Sequence, residues 1–370
     1  MDKFDLEKFL SSDNYYLFPP YVEESMRLKL LDIWNTLHLN NHVFLLSSGT
    51  TSINQIKSYA LSKESLLNNA KAVNEKFQFS KNDVWMSSLP YYHVGGLGIY
   101  LRSYLTNSKV INSDQKWSAS EFIDLVWTNS ISIASVVPTQ LYDLVSSKKM
   151  APKSLRALFV GGDFLSHELR DRALDLNYPI IQTYGMTELC SQIASSFVSR
   201  ESSHQLEILP IHKIYQSDTK SFIESSSLCS AEIIMNKNEP IIINKIGKIF
   251  ELKDHLVLSE IDQKNYLEPK GRTDEFFKIS GHLYSQFELK EIFEKIAIEQ
   301  GAFSDVILRF LVDERKGHIL EVQYQDLYKN KVKSFIEKLE KSLPKPLCPI
   351  RANNIGVFKK SMIGKVKLVQ

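Results

Sequence analysis

In the first half of the chain, short continuous apolar runs alternate with segments in which apolar residues recur at helical spacing. Runs of strand character lie at residues 42–46, 84–89, 131–137, 155–160 and 180–183. Segments with helical spacing lie between them at 61–77, 118–129 and 166–176. Hydroxyl residues that favour helix starts, such as Ser62 and Ser118, precede the first two. This order predicts an α/β sheet covered by helices on both faces.

The second half of the chain follows a different pattern. Residues 195–230 are Ser-rich with weak periodicity, and short apolar runs within 231–270 predict small antiparallel strands. From Gly281 onward a new unit begins, with predicted helices at 289–300 and 328–343 around a strand pair. We therefore expect a separate α+β unit at the carboxyl end.

Composition narrows the classes of protein that fit. Hydrophobic residues make up 43% and charged residues 24%, which is ordinary for a globular core. The 45 Lys and Arg against 43 Asp and Glu leave a net charge of +2, which gives no support for a nucleic-acid partner. The three cysteines Cys190, Cys229 and Cys348 offer neither a disulfide framework nor a Cys-x-x-Cys metal site.

The expected location is the cytoplasm. The amino terminus lacks the apolar run of a secretory signal, and no apolar stretch is long enough to predict a membrane span. The pattern leaves the oligomeric state open.

A loop of small and hydroxyl residues follows the first apolar strand. It comprises Ser47, Ser48, Gly49, Thr50 and Thr51. Small side chains let backbone N–H groups approach a polyphosphate, and hydroxyls can donate to its oxygens. A plain connecting turn has a similar composition, and the ending of a Walker A loop is absent. The residues alone leave both interpretations open.

Glycine-rich turns occur at two further places. His93 stands beside Gly95 and Gly96, where a ligand pocket or a core histidine would each fit. Gly161 and Gly162 follow a strand, at the end of a sheet where α/β proteins receive ligands. A simple strand-to-helix turn is the alternative for the second pair.

A strand end near residue 184 combines several chemical groups. It comprises Tyr184, Gly185, Met186, Thr187 and Glu188. The tyrosine can stack on a base, the threonine can bind a phosphate or carboxylate, and the glutamate can hold Mg²⁺ through oxygen. A surface turn does not need this combination.

Two basic positions complete the set. Arg272 in Gly-Arg-Thr-Asp can bind ribose hydroxyls, and Lys365 in Gly-Lys-Val-Lys can neutralise charge on a transferring phosphoryl group. Taken alone, both are also compatible with surface charge.

Together, in this order, the six motifs resemble the adenylate-forming superfamily of acyl- and aryl-CoA synthetases, over roughly residues 43–367. Segments such as TYGMTELCSQIAS are similar to the branch that acts on o-succinylbenzoate in menaquinone biosynthesis. The resemblance implies a ligase that uses ATP and Mg²⁺ to convert a carboxylic acid to an acyl-adenylate. The thiol of CoA then displaces AMP.

The resemblance also assigns roles at the nucleotide. Residues 47–51 would hold the β- and γ-phosphates, and Tyr184 would stack on adenine beside Gly161 and Gly162, with Gly185 and Met186 also contacting the nucleotide. Arg272 would bind ribose.

Further roles concern the acyl group and the domain movement. Thr187 would contact the α-phosphate or acyl carboxylate, Glu188 would carry Mg²⁺, and His93 would gate the acyl pocket. Lys365 would bridge carboxylate and α-phosphate. Rotation at hinge residue Asp274 would then replace Lys365 with the face near Gly281.

The sequence departs from the family pattern at two places. Ser52, Asn54 and Gln55 replace the usual Gly, Pro and Lys, so that a two-residue insertion would make Lys57 the loop lysine. The ribose-binding Asp of the family has no clear counterpart; Glu260 is the preferred substitute and Asp254 a poorer one.

The resemblance implies an α/β fold in two domains. Residues 1–273 would form a large domain of mixed sheets flanked by helices, which binds ATP and the acid. Residues 274–370 would form a small mobile α+β domain carrying Lys365. Two alternatives remain: a ligase of other acyl specificity or one that loads a carrier protein, and a non-catalytic nucleotide-binding homologue.

Overall fold

The computed structural model describes most of the chain. The described residues are 4–47, 55–113, 116–200, 205–217, 220–236, 241–272, 276–279, 282–313, 317–360 and 366–367. Their helices are α1 Leu6–Leu10, α2 Glu24–Asn35, α3 Lys63–Phe77, α4 Val94–Thr106, α5 Ala119–Thr128, α6 Pro138–Ser146, α7 His167–Asp175, α8 Gln286–Glu299 and α9 Val332–Ser342. Among these described helices, none combines the length and apolarity needed to cross a bilayer.

The strands fall into seven sheets among the described residues. In chain order they are β1 Tyr15–Leu17, β2 His42–Leu46, β3 Gln55–Ser62, β4 Val84–Ser87, β5 Lys109–Asn112, β6 Ile133–Val136, β7 Ala157–Val160, β8 Ile180–Met186, β9 Ser191–Phe197, β10 Leu206–Glu207, β11 His212–Ser217, β12 Lys220–Ser225, β13 Ala231–Asn236, β14 Ile242–Lys245, β15 Ile249–Leu252, β16 Asp254–Ile261, β17 Lys264–Arg272, β18 Phe276–Ile279, β19 His282–Ser285, β20 Val306–Asp313, β21 Gly317–Tyr324, β22 Arg351–Asn354, β23 Lys359–Lys360 and β24 Val366–Lys367.

The largest sheet has six strands in the order β5-β4-β6-β7-β8-β9, parallel except for β9. Strands β6 and β7 are buried throughout, and all of their residues are apolar except Ser135. This is expected for a sheet that is covered on both faces. Helices α5, α6 and α7 pack on one face, and α3 and α4 on the other. The predicted doubly covered α/β sheet is confirmed.

A second sheet has the order β1-β2-β3-β13-β14. Alternate residues of β2 point to opposite faces: Phe44 and Leu46 pack with α2, whereas Val43 and Leu45 pack with α3 and α4. Helices α3 and α4 therefore form a shared layer between the two large sheets. This layer brings β3 and β13 close to the end of β8.

The carboxyl-terminal part has its own hydrophobic core. Helices α8 and α9 pack on the sheet β20-β21-β22 and on the hairpin β18–β19, around residues such as Phe293, Leu320 and Phe335. Helix α8 also packs against α7, where Phe287 lies 4.6 Å from Phe164 between ring centroids. The predicted domain boundary after residue 273 falls at residues outside the described part, so it stays a prediction.

Most predicted elements are present with shifted ends. Ser62, Ser118 and Ser166 each accept a hydrogen bond from the backbone N–H three residues on, and so cap α3, α5 and α7. The sequence pattern did not indicate β3 or α6. Strand β3 follows a polar loop, and α6 begins at Pro138, which suits the first position of a helix as well as the end of a strand.

Candidate active site

The carboxyl ends of β7 and β8 lie side by side and carry the predicted base pocket. A Cβ at Gly161 would lie 2.0 Å from Thr183 Oγ1, and Gly162 has a φ of +78°. Only glycine accommodates both the close approach of β8 and the left-handed turn. The two glycines therefore add no side chain of their own at this edge, although the side chain of Thr183 lies against Gly161.

Strand β8 ends in a bulge that redirects the chain. The register with β9 shifts between Tyr184 and Gly185, and a Cβ at Gly185 would lie 1.8 Å from the backbone oxygen of Ser191. The chain then enters the 3-10 helix Thr187–Leu189. The bulge thereby places Thr187 and Glu188 beyond the end of the sheet next to Tyr184, an arrangement common at active sites.

Tyr184 is held by an aspartate from a distant strand. Its hydroxyl donates to Asp254 Oδ2 at 2.5 Å, and Asp254 stands directly across from Arg272 in the β16–β17 hairpin. Burial, and then the charge of Asp254, raise the pKa of the Tyr184 hydroxyl well above its usual value. Three segments thus bring an aromatic ring, a carboxylate and a guanidinium to one place.

Glu260 lies elsewhere on the same hairpin. It is exposed and pairs with Asn265 near the turn, whereas Asp254 and Arg272 stand at the opposite end. The extended strand separates the two acids by roughly 20 Å. The structure does not bring Glu260 together with Tyr184 and Arg272; it brings Asp254 there instead.

Glu188 lies at the junction of the two large sheets. Tyr59 of β3 donates to Glu188 Oε1 at 2.8 Å, and the same hydroxyl lies 3.1 Å from Glu232 Oε1 of β13. The backbone oxygen of Glu188 accepts from the N–H of Cys229 at 2.8 Å. Burial raises the pKa of the Glu188 carboxyl; among the other influences, Glu232 raises it and Lys57 lowers it.

Lys57 lies on the strand that follows the predicted phosphate loop. The N–H of Ser47 donates to the backbone oxygen of Lys57 at 3.1 Å, so both ends of the loop meet here. Lys57 and Tyr59 are two residues apart on β3 and so share a face. Ser48, Gly49, Thr50 and Thr51 lie outside the described residues, as do Asp274, Gly281 and Lys365.

His93 marks the start of α4. It is the residue that precedes the helix, its ring lies 4.9 Å from that of Tyr92, and a Cβ at Gly96 would lie 2.1 Å from the backbone oxygen of Pro90. The glycine thus lets α4 approach the preceding turn closely. The structure does not test the predicted role of His93 as a gate.

A buried arginine lies further along α4. Arg102 is 2% exposed, and its guanidinium lies 5.7 Å from the ring centroid of Phe159 on β7. Its Nε and Nη2 atoms have no hydrogen-bond partner among the described residues. Burial lowers the pKa of Arg102 to about 10, which still leaves it charged at neutral pH. A buried cation of this kind is costly unless an anion accompanies it.

Sequence reasoning missed Tyr59, Glu232 and Arg102. The first two lie 173 residues apart, and only the pairing of β3 with β13 brings them together. A signal did exist for Arg102, because it is the one charged residue in the apolar helix sequence VGGLGIYLRSYLT. A charged residue on an otherwise apolar helix is expected to be buried, and charged residues are rarely buried unless they are paired.

Comparison with known proteins finds a family model that matches part of this chain. The segment 39–211 matches the model of the AMP-binding enzymes. The match covers 173 of the 370 residues, a little under half of the chain. The resemblance inferred from the motifs is thereby confirmed for the part of the chain that contains β2 to β9 and the residues around Glu188.

Curated relatives of this chain include 2-succinylbenzoate–CoA ligases. The protein from Staphylococcus epidermidis is 33% identical over 130 residues, which cover 35% of this chain and 27% of that relative. The protein from Lactococcus lactis is 32% identical over 150 residues, which cover 40% and 32%. The matched stretches thus span at most about a third of the length of these two relatives.

Solved structures extend the likeness to the fold. The o-succinylbenzoate coenzyme A synthetase from Bacillus subtilis, in complex with its acyl-adenylate intermediate, gives a TM-score of 0.69 at 17% identity. The alignment covers 88% of this chain and 67% of that one. An anthranilate CoA ligase in complex with anthranoyl-AMP gives 0.68 at 13% identity, covering 88% and 65%. The predicted mixed α/β fold is confirmed.

The acidic residues fit a magnesium ion that is carried with a nucleotide. Among the described residues, no group of three or more His, Cys, Asp or Glu is arranged to hold a metal ion. Magnesium bound by phosphates needs only one or two protein carboxylates. Glu188, partly buried and sharing the Tyr59 hydroxyl with Glu232, has carboxylate oxygens of the kind that such an ion prefers.

Proposed function

We propose that this chain is an AMP-forming acid–thiol ligase that converts o-succinylbenzoate to its CoA thioester in menaquinone biosynthesis. The observation that carries the proposal is the convergence of Tyr184, Asp254 and Arg272 beside Glu188 at the end of β8. Relatives named 2-succinylbenzoate–CoA ligase and fold neighbours with bound acyl-adenylate support the same reaction.

The chemistry explains why ATP is used. A carboxylate is a poor acyl donor because oxide is a poor leaving group, whereas AMP leaves readily. The acid attacks the α-phosphorus of ATP, pyrophosphate departs, and the CoA thiol then attacks the acyl carbon and releases AMP. A magnesium ion carried on Glu188 would neutralise charge on the phosphates. Most of the catalysis is therefore positioning and charge stabilisation.

The structure supports distinct roles around the nucleotide. Tyr184 would stack on adenine against Gly161 and Gly162, which add no side chain of their own. Asp254 and Arg272 would bind the ribose hydroxyls, since they face each other beside Tyr184. In this proposal Asp254 takes the place that the sequence pattern gave to Glu260.

Roles outside the described residues follow from the family resemblance. Residues 48–51, followed by Lys57, would hold the β- and γ-phosphates. Lys365 would bridge the acid and the α-phosphate. Residues 274–370 would rotate about Asp274 so that CoA reaches the adenylate past Gly281. Because CoA and ATP are its co-substrates, we expect the enzyme to work in the cytoplasm.

Arg102 supports a substrate with a second carboxylate. o-Succinylbenzoate carries two carboxylates, of which one is adenylated and the other stays negative. The buried guanidinium between α4 and β7 has N–H groups without partners among the described residues, and a carboxylate is the kind of group that would accept from them. A monocarboxylic acid would leave this cation unpaired. His93, at the start of the same helix, would line the entrance to the pocket.

The test is product formation by the purified protein. With ATP, Mg²⁺, CoA and o-succinylbenzoate we expect AMP and o-succinylbenzoyl-CoA, identified by mass spectrometry. Arg102→Met keeps the side-chain bulk and removes the charge. It should lower kcat/KM for o-succinylbenzoate by about 100-fold, since a buried charged hydrogen bond is worth up to about 3 kcal/mol.

Three outcomes would contradict the proposal. Turnover of other acids but not o-succinylbenzoate would overturn the substrate. Transfer to a carrier protein in place of CoA would overturn the acceptor. Absence of AMP with every acid of a broad panel would favour a non-catalytic nucleotide-binding protein.

A further inference from the structure

A line of hydrogen bonds connects the edge of one large sheet to the predicted magnesium ligand on the other. Asn244 of β14 donates from Nδ2 to Glu232 Oε2 at 3.1 Å, and Glu232 Oε1 lies 3.1 Å from the hydroxyl of Tyr59. That hydroxyl donates to Glu188 Oε1 at 2.8 Å. The line thus ends on the carboxylate assigned to magnesium.

Strand pairing fixes the buried members of this line. Glu232 stands directly opposite Tyr59 in the β3–β13 ladder and opposite Asn244 in the β13–β14 ladder. Tyr59 is 2% exposed and Glu232 is 9% exposed. Their side chains therefore have little freedom, and the Tyr59 hydroxyl occupies a fixed point next to Glu188.

Burying a carboxylate such as Glu232 costs folding free energy unless the charge is paired or hydrogen-bonded. The core around Tyr59 consists mainly of apolar residues such as Leu61, Leu97 and Leu101, so a Phe and an apolar residue would pack there without that cost. The polar pair is instead placed where it meets Glu188 at the end of a different sheet. Such a partner orients a metal-binding side chain and leaves one of its oxygens to the cation.

We propose that Tyr59 and Glu232 are positioning residues, which hold Glu188 in the orientation that binds magnesium together with ATP. Tyr59 holds Glu188 Oε1 by donating to it, so that the rest of the carboxylate would be available to a magnesium ion. The Tyr59 hydroxyl shares its single proton between Glu188 Oε1 and Glu232 Oε1, so that Glu232 fixes the position of the hydroxyl, and Asn244 in turn holds Glu232. The inference rests on the proposed function, because it needs magnesium and ATP at Glu188.

The experiment measures cation binding directly rather than turnover. Mn²⁺ serves as a paramagnetic substitute for Mg²⁺, and its binding to the full chain is followed by electron paramagnetic resonance with a non-hydrolysable ATP analogue. Tyr59→Phe removes one hydroxyl and keeps the ring. We expect it to weaken Mn²⁺ binding about tenfold, the size typical of losing such a supporting hydrogen bond.

Two further variants separate positioning from packing. Glu232→Gln can donate an amide N–H to the Tyr59 oxygen, which leaves the hydroxyl proton for Glu188, so this variant should bind Mn²⁺ within about twofold of wild type. Glu232→Ala should weaken Mn²⁺ binding as Tyr59→Phe does. The matched control is Tyr178→Phe, because Tyr178 is also buried and its hydroxyl donates to Lys149 O at 3.3 Å. This control should bind Mn²⁺ as wild type does.

The possible results separate the two proposals. Wild-type protein that binds no Mn²⁺ with the nucleotide would overturn the proposed function, and this inference with it. Wild-type binding that Tyr59→Phe leaves unchanged, in a variant whose circular dichroism and melting temperature match wild type, would overturn the positioning role alone. If Tyr59→Phe unfolds, Glu232→Gln and Glu232→Ala decide: equal Mn²⁺ affinity in these two overturns the role.

Discussion

At the scale of single residues, two acids at opposite ends of one strand have different neighbours and therefore different expected roles. Asp254 and Glu260 both belong to β16, yet Asp254 meets Tyr184 and faces Arg272, while Glu260 is exposed near the hairpin turn. The sequence favoured Glu260 because the ribose-binding motif is missing. The structure shows why Asp254 is the better candidate.

We predict opposite outcomes for the two acids. Asp254→Asn should raise the KM for ATP in acyl-adenylate formation at least about tenfold, because a charged hydrogen bond to ribose contributes roughly 1.5–3 kcal/mol. Glu260→Gln, the matched control, should stay within twofold of wild type. Steady-state kinetics with varied ATP measures both. A larger effect from Glu260→Gln would contradict this placement.

Site residues are easiest to predict from the sequence where they lie within one short motif. Tyr184, Thr187 and Glu188 form one contiguous motif at a strand end, so their types and spacing carry the information. Tyr59 and Glu232 carry no such signal, since each is an ordinary residue in a strand until β3 pairs with β13. Contacts between distant segments of the chain depend on register, which no local pattern specifies.

At the scale of elements, the contact between α7 and α8 joins the carboxyl-terminal unit to the central sheet. Glu291 of α8 accepts from the N–H of His167 at 2.9 Å, at the amino end of α7. Glu294 lies beside Ser166 and Asp163. A carboxylate at a helix amino terminus is favourable, but several acids placed together repel one another.

This contact should depend on pH. Burial, and then the charge of Asp163, raise the pKa of Glu294 to about 8; Glu291 adds to the rise, while Ser166 and Lys290 oppose it. The folded protein thus holds a proton that the unfolded chain releases near pH 4.5. The stability that this proton provides is complete at low pH and is lost as the pH rises toward 8.

The prediction concerns melting temperatures between pH 5 and pH 9. Glu294→Gln is neutral throughout, so it should raise the melting temperature relative to wild type at pH 8 to 9, with a smaller difference at pH 5. Differential scanning calorimetry measures this. The control Glu288→Gln changes an exposed acid of the same helix and should show no such trend. A difference for Glu294→Gln that does not vary with pH would contradict the assignment.

Elements were predictable where a single pattern governs them. Strands β6 and β7 are apolar runs between turn residues, and α3, α5 and α7 begin at serine caps. Strand β3 was not indicated, because QIKSYALS mixes polar and apolar residues and its two faces contact different layers. Tertiary packing, rather than local propensity, decides such a strand.

At the scale of the whole molecule, the central sheet contacts both the β16–β17 hairpin and the carboxyl-terminal unit. The first two meet at Tyr184 and Asp254. The third has its own core and contacts the first through α8 and α7. The rotation that would bring Lys365 to Thr187 and Glu188 is a prediction from the family resemblance.

One measurement tests the central claim most directly: the exchange of labelled pyrophosphate into ATP, which reports adenylation without CoA. With Mg²⁺ and o-succinylbenzoate the wild-type protein should catalyse exchange, and without the acid it should not. Lys365→Ala should lower exchange by about 100-fold or more, because it removes charge stabilisation at the reacting phosphate. The same variant should still form thioester from preformed acyl-adenylate and CoA. No acid-dependent exchange in wild type, or equal loss of both half-reactions in Lys365→Ala, would contradict the account.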